Sequence, residues 1–436
     1  MTLALEDIAR NAVAGLKAER PWGRVEALDS GLIRVNGLHG LARIGDMIEI
    51  DDRPAGEIIA IDGAAALALP FISLSGVNVG ARAYTRREGG ARPSQRWLGE
   101  VINAFGHKFD GAPAPAGERM MPLSPESPLI HARRGLGARF NTGLAAFDTF
   151  LPLCRGQRIG LFAGSGVGKS SLLADLANGV EADVVVLALI GERSREVRDF
   201  VEETLGEKGR KRAVVIVSTC DEPAPTKRRA AQLALTTAEY FRDLGRHVLL
   251  LFDSITRFAD AHREIGLAAG ETPSLRAYPP STSRVIAGLA ERAGPGAGQA
   301  GDITAIFTVL VAGSDMEEPI ADMTRSILDG HVVLDRAIAE RGRFPSIDVR
   351  RSVSRSLPKA ATTDENQLLT DGRALIAAYE EASTMIHTGL YAKGSDPTID
   401  RAIAIWPRLD AFIGEKSENC AAAFARLEKI LTRQPA

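Results

Sequence analysis

Residues 158–178 read RIGLFAGSGVGKSSLLADLAN: an apolar run, a turn of glycine and serine, then a segment with helical spacing. The turn Gly164-Ser165-Gly166-Val167-Gly168 lacks bulky Cβ groups at alternate positions. Its backbone N–H groups can therefore close around phosphate oxygens, and the positive end of the following helix adds to the attraction. Lys169 is spaced to reach the β- and γ-phosphates of a nucleoside triphosphate, and the Ser170 hydroxyl to sit on Mg²⁺. Ser171 continues the nucleotide-binding run into the helix. The strict pattern GxxxxGK[ST] begins with glycine, whereas Ala163 stands there; alanine is small enough for the turn. A dinucleotide fingerprint GxGxxG would need glycine at position 169, which is lysine. Residues 164–170 are thus expected to be the triphosphate loop of an α/β fold.

Outward from this loop, strand and helix lengths alternate. Apolar, β-branched runs at 158–162, 184–190, 213–219, 247–252, 303–312 and 331–334 predict a parallel sheet covered on both faces. After about residue 361 the strand signals fade and a helical bundle is expected, ending in AAAFARLEKIL. Toward the N-terminus, residues 21–90 change period. Short alternating runs broken by Gly and Asp-Gly turns predict a small β-barrel. The turn-rich stretches GGARPSQR (89–96) and GAPAPAGERMMPLSPESP (111–128) read as a linker or surface excursion. Residues 1–20 place Leu5, Ile8, Val13 and Leu16 near one helical stripe. The expected division is a helix at 1–20, a barrel at 21–90, the nucleotide domain at 91–360 and a helical domain at 361–436.

Composition narrows the function class. A formal net charge of −2 gives no global attraction to nucleic acid, and 5% aromatic residues leave few stacking platforms for single strands. Cys154, Cys220 and Cys420 show no CxxC or metal-ligand spacing, so buried thiols in a reducing cytosol are expected. The apolar runs fall well short of the ~18–20 residues that span a bilayer. The N-terminal stretch carries acidic residues and no continuous apolar core, unlike a secretory signal. A cytoplasmic protein is the expectation.

Two carboxylates fall where such sheets bind ligands. In HVLLLFDSITRF (247–258), Asp253 ends an apolar strand, a position that suits a Mg²⁺-supporting carboxylate and equally a helix N-cap. After the strand at 184–190, Glu192 in GERSR (191–195) is placed to polarise an attacking water; a surface Glu–Arg pair is the plainer reading.

These strings are familiar together. GLFAGSGVGKSSLL (160–173), IGERSREVRDF (190–200), FDSITRFADAHREIGLAAGE (252–271) and EPIADMTRSILDGHVVLDRAIA (318–339) resemble the flagellar and type III secretion export ATPases, relatives of the rotary ATP synthase catalytic subunits. GLYAKGSDPTIDRAIAIWPRLDAFI (389–413) is similar to that family's tail. The resemblance implies an N-terminal β-barrel, a RecA-like P-loop domain and a helical C-terminal domain. It also implies ATP as substrate, Mg²⁺ as cofactor and assembly as a homohexamer with nucleotide at each interface. It gives Lys169 and Ser170 to phosphate and Mg²⁺, Glu192 to catalysis, Asp253 to Mg²⁺ support, and Arg193 and Arg257 to the γ-phosphate region. In RFPSID (343–348), Phe344 stands where an aromatic residue, usually tyrosine, packs on adenine. In RRSVSRSLP (350–358), Arg355 resembles the arginine finger given to a neighbouring subunit; without the resemblance it is one Arg of a basic cluster.

One chain carrying both Glu192 and Arg355 can complete a site at every interface of a ring of identical copies. The leading expectation is an ATPase energising flagellar protein export. The resemblance adds regulator and stalk proteins, export substrates and chaperones as partners, with peripheral association at the cytoplasmic face of the inner membrane. The virulence injectisome enzyme is the near alternative. A hexameric RNA translocase also pairs a small β-domain with such a motor, but charge and scarce aromatics count against nucleic acid.

Overall fold

The computed structural model describes residues 22–432 except 30, 39, 72, 73, 75, 88, 126–132 and 312–315. The helix expected over residues 1–20, and its reading as a docking element, lie outside the described residues. The chain forms two compact units: residues before 89 with Ala268–Gly270, and the remainder.

In the first unit, β1 (Trp22–Asp29), β2 (Leu32–Asn36), β3 (Met47–Ile50), β4 (Arg53–Asp62), β5 (Ala65–Pro70) and β6 (Arg82–Arg86) close a barrel in the order β1-β2-β5-β4-β3-β6. Every pairing is antiparallel. The period-2 pattern decides which side chains enter: Ile33 and Val35 are buried while Arg34 between them pairs outside with Glu26 and Asp62, each at 3.2 Å. Val25, Ile48, Ile58, Ala68 and Ala83 complete the filling. Closure leaves no strand edge to pair with another chain.

In the second unit, one sheet is built from β7 (Val101–Asn103), β8 (Arg158–Ala163), β9 (Val184–Glu192), β10 (Ala213–Thr219), β11 (Val248–Asp253), β12 (Gly294–Pro295), β13 (Asp302–Leu310), β14 (Gly330–Leu334) and β15 (Ile347–Ser354). Its order is β15-β14-β8-β13-β11-β9-β10-β7, with β12 paired to β13. From β14 to β7 along this path all pairs are parallel. β9 shows why such strands read as unbroken apolar runs: Val185, Leu187 and Leu189 enter the core on one face, and Val184, Val186, Ala188 and Ile190 the core on the other.

The six expected strands are present, and three more were not foreseen: β7, β15 and the two-residue β12. β7 lies between the two stretches read as a linker and pairs parallel to β10, while Trp97 and Leu123 beside it are buried. Three residues are too few to show a period, so turn residues dominated that reading. β15 is an edge strand antiparallel to β14, and Arg350 and Arg351 on its exposed side interrupt the apolar signal. Cys154 and Cys420 are buried as expected, but Cys220 is exposed, just beyond β10.

The helices Thr363–His387, Pro397–Gly414 and Cys420–Thr432 follow the sheet. The first opens on a capping box between Thr362 and Glu365, and Asp396 caps the second by accepting from the N–H groups of Thr398 and Ile399. Tyr379 and Trp406 stack at 4.1 Å between them. Leu375, Ile376, Leu409, Phe412 and Leu427 share one apolar cluster with Phe147, Phe150 and the inner face of β9. The bundle is therefore continuous with the core beneath the sheet. Among the described residues, no helix is long and apolar enough to cross a membrane.

Candidate active site

The loop after β8 turns into the helix Lys169–Gly179 through two left-handed residues, Gly166 at φ +75° and Gly168 at φ +86°. Side chains are strained in that region, so glycine at both positions is conformational. Ala163 is the last residue of β8, extended and paired on both sides, with Leu310 of β13 and Leu334 of β14. Its position needs no left-handed backbone, which explains why alanine serves where the strict pattern has glycine. Ser165 and Gly166 are exposed along the loop, and Ser170 and Ser171 at the helix start.

Three charged side chains meet beneath the loop. Nζ of Lys169 donates to Asp253 Oδ1 at 2.6 Å and to Glu192 Oε1 at 3.4 Å. Glu192 ends β9 and Asp253 ends β11, so the common direction of the strands delivers both carboxylates to one sheet edge, the crevice where open α/β sheets bind ligands. Thr308, buried in β13, donates to Asp253 Oδ1 at 2.6 Å and fixes that carboxylate. Both donors use Oδ1. Sequence reasoning did not pick Thr308; the available signal was two hydroxyls, Thr304 and Thr308, inside the otherwise apolar run ITAIFTVL.

Burial raises the Glu192 pKa above the ordinary glutamate value; Lys169 opposes the shift and Asp253 adds to it. Burial pulls the Lys169 ammonium down, but Asp253 and Glu192 outweigh it and its pKa is raised. If Glu192 polarises the attacking water it must do so as the carboxylate, and kcat/KM reports the free enzyme. Its acidic limb should therefore fall at a pH above the ordinary glutamate range, with activity rising as Glu192 ionises. A pH–kcat/KM profile whose acidic limb lies at or below that range contradicts this.

The remaining expected residues are placed as follows. Phe344 is half exposed, and its ring lies against the loop: a Cβ on Gly168 would come within 2.9 Å of it. Nearby, Ser346 donates to the Val167 carbonyl at 2.6 Å, a tie the sequence gave no reason to expect. Arg257, on the helix Ile255–Ala268, packs against Gly191 and pairs with Asp260 at 3.8 Å, lining a cavity of about 440 Å³ with Lys227 and Glu264. Arg193 faces solvent and pairs at 3.2 Å with Glu196, which also neighbours Glu192.

Arg355 lies elsewhere. β15 begins at Ile347 opposite Leu334, at the phosphate-loop edge, and ends at Ser354 opposite Gly330. β15 shifts register between Asp348 and Val353, so its advance along the sheet is set by β14: the five steps from Leu334 to Asp329, at ~3.3 Å each, place Arg355 about 16 Å away, at the other edge of the sheet. There its backbone N–H bonds the Asp329 carbonyl and its side chain is exposed.

Related proteins cover most of the chain. Residues 143–354 match the ATP synthase alpha/beta family, nucleotide-binding domain, and residues 361–430 the T3SS EscN ATPase C-terminal domain. The flagellum-specific ATP synthase of Caulobacter vibrioides is 46% identical, over 97% of this chain and 99% of its own length. The SPI-2 type 3 secretion system ATPase of Salmonella typhimurium is 40% identical over 94% of each. The assembled ATPase EscN of the enteropathogenic E. coli type III secretion system superposes with a TM-score of 0.85 at 38% identity, covering 94% of this chain and 100% of that one. A second structure of that ATPase, in complex with its central stalk EscO, matches equally well. With its phosphate loop, paired strand-end carboxylates and helical tail, the chain belongs to the ATP synthase alpha/beta family, in the branch of the flagellum-specific ATP synthases and type III secretion ATPases.

Proposed function

We propose that this chain hydrolyses ATP in a ring of identical copies, a homohexamer, and that turnover drives flagellar protein export. The observation carrying the shared-site reading is the separation of Arg355 from Lys169 and Glu192 across the sheet. An arginine about 16 Å along the sheet from the phosphate-loop edge of its own chain, farther than its side chain extends, can reach the γ-phosphate only of another copy. The assembled state of EscN supports a ring, and its stalk complex supports a central partner for this chain as well.

In this reading the loop 164–168 and Lys169 hold the triphosphate, and Phe344 faces the base. Ser170 and Asp253 fit Mg²⁺, because an exposed hydroxyl at a helix start and a fixed carboxylate are hard oxygen ligands. The ion supplies neutralisation of phosphate charge when bound. Glu192 orients and polarises the attacking water; Arg257, beside Gly191, and Arg193, on the turn after Glu192, complete the γ-phosphate side once nucleotide draws them in. The enzyme works in the cytoplasm at the inner face of the export apparatus, with regulators, chaperones and export substrates as further partners. The SPI-2 relative keeps an injectisome role as the second reading. Loss of motility with secretion of virulence cargo intact, on deleting the gene, decides for the first.

Arg355→Ala should lower ATPase activity by about 10³-fold, the low end for an arginine finger. Mixing it with Glu192→Gln chains should restore activity, because hybrid interfaces pair an intact Glu192 with an intact Arg355. Verified mixed rings with no recovery would remove the shared-site model.

A further inference from the structure

The loop carrying Phe344 is held from two sides. On one, Ser346 bonds the Val167 carbonyl at 2.6 Å and the Phe344 ring covers Gly168, so the loop is fastened to the phosphate loop. On the other stands the C-terminal helix Pro397–Gly414. Its Asp410 Oδ1 lies 3.0 Å from Arg343 Nε, with the Arg343 side chain 9% exposed. That contact is an ion pair without hydrogen-bond alignment. The fork of Arg343 is turned back on its own loop, donating to the carbonyls of Pro345 and Ile347 at 2.9 Å each. At the end of the same helix Gly414 touches the loop backbone: a Cβ there would stand 2.9 Å from the Phe344 carbonyl oxygen.

From this juxtaposition we propose that Asp410 is a positioning residue for nucleotide binding, acting through Arg343 to hold Phe344 over the phosphate loop. The C-terminal helices thereby set the enzyme's affinity for the base of its nucleotide. The physical reason lies in the unequal partners of Arg343. Its two carbonyl bonds shape the loop internally, while Asp410, shared with Arg341 at 3.9 Å, supplies the counter-charge in contact from the C-terminal helices and Asp348 of β15 acts over a longer distance. Without that charge, a largely buried guanidinium gains by turning toward water, and the loop moves with it. The proposal rests on reading Phe344 as the base platform, and the experiment separates the two.

Steady-state ATPase kinetics of the full chain should show KM for ATP raised about three- to tenfold in Asp410→Asn, with kcat within about twofold. Inorganic triphosphate, which has no base, should inhibit the variant and the wild type with the same constant. Phe344→Ala should raise KM similarly, and adding Asp410→Asn to it should change nothing further. Gly414→Ala, which leaves Asp410 intact but pushes on the Phe344 carbonyl, should reproduce the KM effect. If Asp410→Asn does not fold, Arg343→Lys takes its place, since it keeps the charge and loses the fork. A raised KM in Phe344→Ala with an unchanged KM in Asp410→Asn overturns the positioning role alone. An unchanged KM in Phe344→Ala overturns the base-platform reading itself. Equal weakening of ATP and inorganic triphosphate in Asp410→Asn also overturns the proposal, because it marks a general loosening of the loop.

Discussion

Glu192→Gln should bind nucleotide about as tightly as the wild-type enzyme and lose kcat by roughly 10²–10⁴-fold, the range for removing a positioned general base. Glutamine keeps the size and one oxygen of the side chain, so the contact with Lys169 at 3.4 Å survives in shape. What disappears is the negative charge that draws a proton from water. Burial already holds this carboxyl above the usual glutamate range, closer to the basicity that proton transfer at neutral pH requires. Nucleotide titration followed by single-turnover hydrolysis measures both quantities on one preparation. Hydrolysis at the wild-type rate would show that another group activates the water, and the trans-complementation with Arg355→Ala would lose its basis.

Lys169→Ala should fail at the earlier step. A hydrogen bond to a charged group contributes about 1.5–3 kcal/mol, which corresponds to roughly 10–150-fold in affinity. Turnover should fall further, because Lys169 also neutralises charge as the terminal phosphate departs. The structure adds a second cost. Lys169 is the cation between Glu192 and Asp253, whose side chains are 18% and 6% exposed. Its removal leaves two carboxylates facing the loop that must receive a polyanion. Binding measured with ATP in magnesium and ATPase rate at saturation separate the contributions. Near-normal affinity in Lys169→Ala would mean that the backbone of residues 164–168 carries the phosphate contact alone.

Glu192→Gln thus leaves the phosphate cradle intact while Lys169→Ala disables it, and this difference follows the way each residue could be recognised. The loop and Lys169 were legible because their function is local. A strand, a turn with glycine at two left-handed positions and a helix start lie within 21 consecutive residues, and backbone conformation there is set by neighbours in sequence. Glu192 and Asp253 were half legible. Strand-end position is readable from apolar runs, but the runs do not say that β9 and β11 are adjacent and parallel, which is what brings both carboxylates to one lysine. Arg193 and Arg257 came only from the resemblance, and the structure turns each toward an acidic neighbour on its own helical turn.

By itself the sequence determined the period of each segment: the alternating barrel runs, the fully buried strands of the sheet, the phosphate loop and the helical tail. Those follow from hydrophobic spacing and from glycine's freedom, which act over a few residues. Only the tertiary structure decided which side chains from distant segments meet. Thr308 on Asp253, Ser346 on the phosphate loop and Asp410 on Arg343 join residues 55, 179 and 67 positions apart. Sheet order and register also decided that Arg355 ends on the edge opposite the phosphate loop. A single sequence records no partner for such contacts, because their energy comes from burial and charge brought together by the whole fold.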